Sequence, residues 1–301
     1  MTYMYRLLFM SHWTEAFRLL MPWAELFFRI ITELGSDYFY VVLIAIGFWV
    51  VDKRASILIA FVLIASVVSN YCLKITFRSP RPPVTNWLPG VHASNYSLPS
   101  GHAQNSITMW GWLAIKIKKW QMGVLSIALI GLIGLSRIYI GVHWLGDIVS
   151  GWAVGLLLLI VLWKLEKPTR SALSKQNPNL LYLGLVIFGV IAMILTEFLS
   201  PVTIEGLEAN FGPNGGLIIG LGIGLILEKR YVNFEITPKH GKKWRVALRV
   251  IIGLIMVFAI AGSLSLMLSR DVYWMCAIQY ALVTIVVIFI WPFLFKKLSL
   301  I

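Results

Sequence analysis

The chain has 301 residues, of which 59% are hydrophobic and only 13% charged, and its mean hydropathy is +0.82. Those proportions exclude an ordinary soluble domain and predict an all-α, polytopic bundle of transmembrane helices embedded in the bilayer. The formal net charge of +13, from 26 Lys and Arg against 13 Asp and Glu, is the basic excess that cytoplasmic loops of membrane proteins carry, so no nucleic-acid partner is expected.

The first residues show no basic head, apolar centre and small-residue cleavage site, so no cleavable signal is expected and the spans direct insertion. From Trp13 to Leu34, Glu15, Arg18, Glu25, Arg29 and Glu33 recur at roughly helical intervals among Phe, Leu, Ile and Trp. This pattern predicts an N-terminal amphipathic helix at the membrane interface, within residues 1–36. A tenth span is the rival, and it would bury three charges.

A hydrocarbon core about 30 Å thick needs roughly 20 apolar residues per helix. On that measure spans are expected near 37–51, 55–73, 101–117, 121–140, 144–163, 180–197, 214–228, 246–267 and 273–295, about nine in all. Polar residues interrupt the apolar runs at Glu166 to Asn179. Residues 37–165 are therefore expected to form the core that holds the chemistry, and residues 166–301 further helices of the same bundle. Gly216, Gly220 and Gly224 make a small-residue ridge, and Gly151 with Gly155 repeats the spacing. Such ridges serve tight packing within the chain or the face of a homo-oligomer. Cys72 and Cys276 lie in apolar runs, which leaves neither a disulfide framework nor a thiolate metal site.

Basic residues set the orientation. If the loop with Lys53 and Arg54 is cytoplasmic, alternation places Lys116, Lys118 and Lys119, the clusters Lys164 to Lys175 and Lys229 to Arg245, and Lys296 and Lys297 on the same side, 17 Lys and Arg together. The opposite side, beyond residue 36, holds only Lys74, Arg78, Arg81, Arg137 and Arg270. By the positive-inside rule that side is extracytoplasmic, and the N-terminus shares it.

All but Arg270 belong to or adjoin three motifs, Lys74-x6-Arg81-Pro82, Pro99-Ser100-Gly101-His102 and Ser136-Arg137-x5-His143-x3-Asp147. Lys74 ends a span, and Pro80, Pro82 and Pro83 stiffen the chain around Arg81. A Lys point charge and a planar Arg fork are the groups that hold phosphate oxygens, although any one of them could be snorkelling. Ser100 is a natural N-cap of the helix that follows, whose first turn offers unpaired N–H groups to an anion. Gly101 would allow close approach of that anion, and His102 would bring a titratable proton. His143 and Asp147, at i and i+4, share a helix face, so the carboxylate can orient the imidazole as in a catalytic triad. The same spacing suits a metal. The other carboxylates expected on this side, Glu197, Glu205, Glu208 and Asp271, fall outside the motifs, so no metal is expected and the three cations neutralise charge instead. Arg78, His92, His12 and His240 lie outside the motifs.

The three motifs, complete and in order, resemble the signature of the type 2 phosphatidic acid phosphatase superfamily, over roughly residues 37 to 165. The topology is similar to the branch with glucose-6-phosphatase and the sphingosine phosphate phosphatases. The resemblance implies a metal-independent, cofactor-free phosphatase in which His143 attacks phosphorus, Asp147 holds its tautomer and His102 protonates the leaving alkoxide. Lys74, Arg81 and Arg137, with Ser100 and Gly101, would bind the phosphoryl oxygens. The implied partner is a lipid phosphate or diphosphate in the bilayer; a soluble sugar phosphate, or lipid binding or translocation without turnover, are the alternatives. The compact chain is expected in a bacterial plasma membrane, with the site facing outward.

Overall fold

The computed structural model describes residues 8–10, 12–93, 95–199, 211–236, 243–268 and 272–298. Glu205, Glu208, Lys239, His240, Lys242, Arg270, Asp271 and the side chain of Glu197 lie outside the described residues. The described secondary structure is entirely helical. In chain order it comprises α1 (His12–Leu20), α2 (Glu25–Glu33), α3 (Asp37–Ile46), α4 (Lys53–Phe77), α5 (Gly101–Ile117), α6 (Trp120–Ile140) and α7 (Leu145–Leu173). There follow α8 (Pro178–Leu199), α9 (Gly212–Leu227), α10 (Lys243–Met267), α11 (Tyr273–Ile285) and α12 (Trp291–Lys297). Wide π turns extend α3 through Gly47–Val51 and α9 through Glu228–Val232, and Val286–Ile290 joins α11 to α12.

Among the described residues six helices are long and apolar enough to cross a membrane, or seven if the pair Pro22–Glu33 and Asp37–Val51, bent by 53°, counts as one span. The expectation of about nine differs because three of the expected spans form shorter helices. These are α3 with its π turn, α5 with 17 residues and α9 with 16.

The chain folds as two compact units. One holds the described residues up to Tyr40 and Phe61–Lys167, and the other holds Val41–Ala60 and the described residues from Pro168 onward. In the first unit the N-terminal segment is not one continuous helix, because a 3-10 turn at Pro22–Ala24 separates α1 from α2. Pro22 cannot donate a helical hydrogen bond, which favours a break there. Both helices pack on the end of α6. Phe28 stacks on Tyr139 with ring centroids 4.5 Å apart, and Thr14 Oγ1 donates to the Ile138 carbonyl at 3.0 Å. Arg18 donates to the carbonyls of Tyr139, Asn86 and Ile140 at 2.9, 2.8 and 3.0 Å, supplying partners to the exposed carbonyls at a helix C-terminus. Gly141 then ends α6 at φ +90°, where a Cβ would stand 2.0 Å from the Asn86 carbonyl oxygen. This is the left-handed helix stop that glycine adopts without strain.

Gly151 and Gly155 let α7 touch the backbone of α5. A Cβ at either would stand 2.7 Å from a carbonyl oxygen, that of Ser100 or of Gln104. In the second unit the other ridge is also filled from within the chain, Gly216 against Ala277, Gly220 against Ala281 and Gly224 against Ile288. The outer faces of α8 and α10 expose Leu183, Ile187, Ile191, Ile251, Ile255 and Phe258, as hydrocarbon contact requires. Lys53 and Glu228 form an ion pair at 2.6 Å, and the Phe234 N–H donates to the same carboxylate oxygen at 3.2 Å.

Candidate active site

Four elements of the first unit bring the motif residues together. Lys74 stands in the last turn of α4, buried to 7% exposure, and its ammonium donates to the carbonyls of Tyr96 and Ser97. Arg81 lies in the proline-stiffened loop. Its Nε donates to the Asn95 carbonyl at 2.8 Å, and Nη1 donates to the Val142 carbonyl at 2.9 Å. Nη1 also stands 3.1 Å from His143 Nε2. Burial lowers this guanidinium to a pKa of about 10, with Asp147 acting in the opposite sense.

His143 is buried in the short connection between α6 and α7. Its Nδ1 lies 3.2 Å from Asp147 Oδ2 and 3.2 Å from Ser97 Oγ. A guanidinium can only donate, so the Arg81 contact requires a lone pair on Nε2 and places the proton on Nδ1, facing the carboxylate. Burial holds the imidazole well below its ordinary pKa, and Arg81, Lys74, Arg137 and His102 push in the same direction. The imidazole is thus neutral, with its Nε2 lone pair accepting from the Arg81 guanidinium. Asp147 Oδ2 also accepts the Trp144 N–H at 2.8 Å and the Ser97 hydroxyl.

Arg137 ends α6, buried to 8% exposure, and Nη1 donates to Thr32 Oγ1 of α2 at 2.7 Å. The N-terminal segment therefore anchors one cation of the site. Ser100 caps α5 through a long 3.5 Å bond from the Ala103 N–H, and its own N–H donates to the Asp147 carbonyl at 3.0 Å. The cap of α5 is thereby tied to the first turn of α7. Asn70 of α4 donates to the Pro99 carbonyl at 3.2 Å and to Gln104 Oε1 at 3.0 Å. Where Gly101 would carry a Cβ, that atom would stand 3.2 Å from Asn70 Oδ1. His102, half-buried, follows in the first turn of α5 and packs against Gly35.

All eight motif residues singled out from the sequence lie around this one cluster. Arg78 and His92 are exposed, and Arg78 turns back to donate to the Ile75 carbonyl. Among the described residues no three His, Cys, Asp or Glu side chains converge as a metal-ligand set. Ser97, Thr32 and Asn70 were not singled out from the sequence. Ser97 stands three residues before Ser100 in the same loop, a faint signal, whereas Thr32 and Asn70 are marked by nothing in their local sequence.

Residues 55–170 match the family model described as PAP2 superfamily, and residues 214–301 match PAP2 superfamily phosphatase, transmembrane extension. Sphingosine-1-phosphate phosphatase 1 of Rattus norvegicus is 27% identical over 75% of this chain and 56% of that protein. Phosphatidylglycerophosphatase B of Bacillus subtilis is 29% identical over 46% of this chain and 74% of that protein. The chain thus spans about half the length of the rat relative. The crystal structure of a transmembrane PAP2 type phosphatidylglycerolphosphate phosphatase from Bacillus subtilis aligns at 26% identity and a TM-score of 0.45, covering 52% of this chain and 84% of that one. The three motifs fall inside the first match and α10, α11 and α12 inside the second, and the chain belongs to the PAP2 superfamily.

Proposed function

We propose that the chain is a membrane-integral, metal-independent phosphatase that hydrolyses a lipid phosphate or diphosphate through a phosphohistidine intermediate. The observation that carries this reading is the His143 imidazole, with Nδ1 held by Asp147 at 3.2 Å and Nε2 at 3.1 Å from Arg81. A phosphoryl oxygen entering beside Arg81 brings its phosphorus to Nε2. Nε2 attacks in line, the N–P bond forms and the P–O bond to the lipid breaks, and His102 gives its proton to the departing alkoxide. His102 then takes a proton from water as that water attacks phosphorus. The N–P bond breaks, inorganic phosphate leaves, and neutral His143 is regenerated. Lys74, Arg81 and Arg137, with the start of α5 at Ser100 and Gly101, stabilise the negative charge on the equatorial oxygens, where preorganised cations act most strongly.

Residues 37–165 form the catalytic core in this reading, and residues 166–301 contribute further membrane helices. The 17 Lys and Arg of the opposite loops support a site on the extracytoplasmic face of the membrane, a bacterial plasma membrane in this reading. The names of the relatives support an amphiphilic substrate such as a sphingoid phosphate, phosphatidylglycerol phosphate, phosphatidic acid or a polyprenyl diphosphate. Purified protein in EDTA should release phosphate from a panel of these lipids, with vanadate and His143→Ala each abolishing release. Lipid binding without release would favour the translocator instead, and faster turnover of glucose 6-phosphate would favour a soluble substrate.

A further inference from the structure

One carboxylate beside the site has no part in that mechanism. Asp37 opens α3 and is exposed. Oδ1 accepts a hydrogen bond from Asn105 Nδ2 at 3.1 Å. Asn105, exposed to only 4%, is itself fixed by the Ser66 hydroxyl, which donates to its Oδ1 at 2.7 Å. Among the described residues no Lys, Arg or His forms an ion pair with Asp37. Glu33, at the end of α2, lies instead in the field of Arg137.

Asn105 follows His102 by three residues in α5, so the two side chains share a face, one turn apart. Gly35, two residues before Asp37, packs on the same imidazole, and a Cβ there would stand 3.2 Å from His102 Cδ2. The backbone of Asn105, whose amide holds the Asp37 carboxylate, lies about 4.5 Å further along the axis of α5 than that of His102. That is the direction in which α5 runs from its first turn, beside Ser100 and Gly101, into its interior. A lipid whose phosphate is held at that first turn and whose chain follows α5 leaves in this direction. When the ester oxygen faces His102, a substituent on the carbon next to the ester carbon comes within reach of Asp37.

We propose that Asp37 is an ammonium-recognition subsite that selects phosphate monoesters bearing a free amine on the carbon adjacent to the ester carbon. The inference rests on the phosphatase reading and narrows its substrate class. The probes are sphinganine 1-phosphate and its N-acetyl derivative, which differ only in the charge and bulk at that carbon. The full chain in detergent should prefer the free amine at least tenfold in kcat/KM. In Asp37→Asn, which keeps an oxygen for Asn105 and removes the charge, that preference should fall at least tenfold. A ratio unchanged by the substitution overturns the proposal, even if both rates decline, because a purely structural role lowers both together. Asp37→Ser, judged by the same ratio, serves should the asparagine variant not fold. Binding of the two lipids to His143→Ala, with and without Asp37→Asn, reads the subsite apart from turnover. If no lipid is hydrolysed yet the amine preference in binding depends on Asp37, the phosphatase reading fails and the subsite stands; if turnover is normal and neither ratio moves, the reverse holds.

Discussion

Replacing Ser97 by Ala removes a hydroxyl that donates to Asp147 Oδ2 and stands 3.2 Å from His143 Nδ1. Three donors address that carboxylate oxygen: the Ser97 hydroxyl, the Trp144 N–H at 2.8 Å and the imidazole Nδ1 at 3.2 Å. Ser97 is fully buried, so water does not readily replace the lost donor. A hydrogen bond to a charged group contributes about 1.5–3 kcal/mol. If that bond serves to hold the carboxylate where the imidazolium forms, it acts in the transition state, and each 1.36 kcal/mol is about tenfold in rate. A fall in kcat of roughly ten- to a hundredfold is expected. Inhibition by vanadate should change by less than about threefold, because the cations stay in place and the Ser97 carbonyl that receives Lys74 is retained. Steady-state hydrolysis of one lipid phosphate, with vanadate titrations on both proteins, measures the two quantities. A kcat within twofold of the parent would refute the argument, and so would a loss of vanadate affinity in proportion to kcat, which would mean collapse of the cradle.

The pH dependence follows from His143 and Arg81. In the proposed mechanism neutral His143 is the reactive form, and its pKa is held down, so kcat/KM should rise with pH through an acid limb well below 6.5, and Arg81→Gln should move that limb upward. Arg81 is charged below about 10, so phosphate affinity should weaken as pH rises through that value, read from vanadate inhibition across pH. Thr32→Val removes the 2.7 Å partner of Arg137, and at about 1.5–3 kcal/mol for a charged hydrogen bond it should weaken vanadate binding roughly tenfold or more; an unchanged affinity would show that α2 does not position the cation. Gly141→Ala forces φ +90° and a Cβ 2.0 Å from the Asn86 carbonyl. It should cost at least about 1–3 kcal/mol in backbone strain alone. Gly123→Ala in α6, where a Cβ meets nothing within 4 Å, should leave stability unchanged or raised, and thermal unfolding of the pair makes the comparison.

Much of the site was legible in the sequence because its chemistry is carried by residue types that hydrocarbon tolerates poorly. Lys74, Arg81, Arg137, His102, His143 and Asp147 stand out against apolar runs, and the i, i+4 relation of the last two follows from helix geometry alone. The glycine ridges were legible as close packing, but not their partners. The break of the N-terminal segment at Pro22 was within reach of the sequence, since proline punctuates helices, yet the spacing of the charges suggested a single element.

Composition and periodicity by themselves determined that the chain is helical and apolar, and which polar side chains it must keep, since those properties depend on each residue and its near neighbours. Only the tertiary structure decided that Thr32 holds Arg137 across 105 positions and Ser97 bridges to Asp147 across 50. It likewise decided that Asn105 turns its amide to Asp37 across 68. Ser, Thr and Asn are common, uncharged and unremarked in a linear reading. They acquire a role when packing buries them beside a charge, because a buried ionised group is stable only where donors or acceptors from elsewhere in the chain complete its hydrogen bonds.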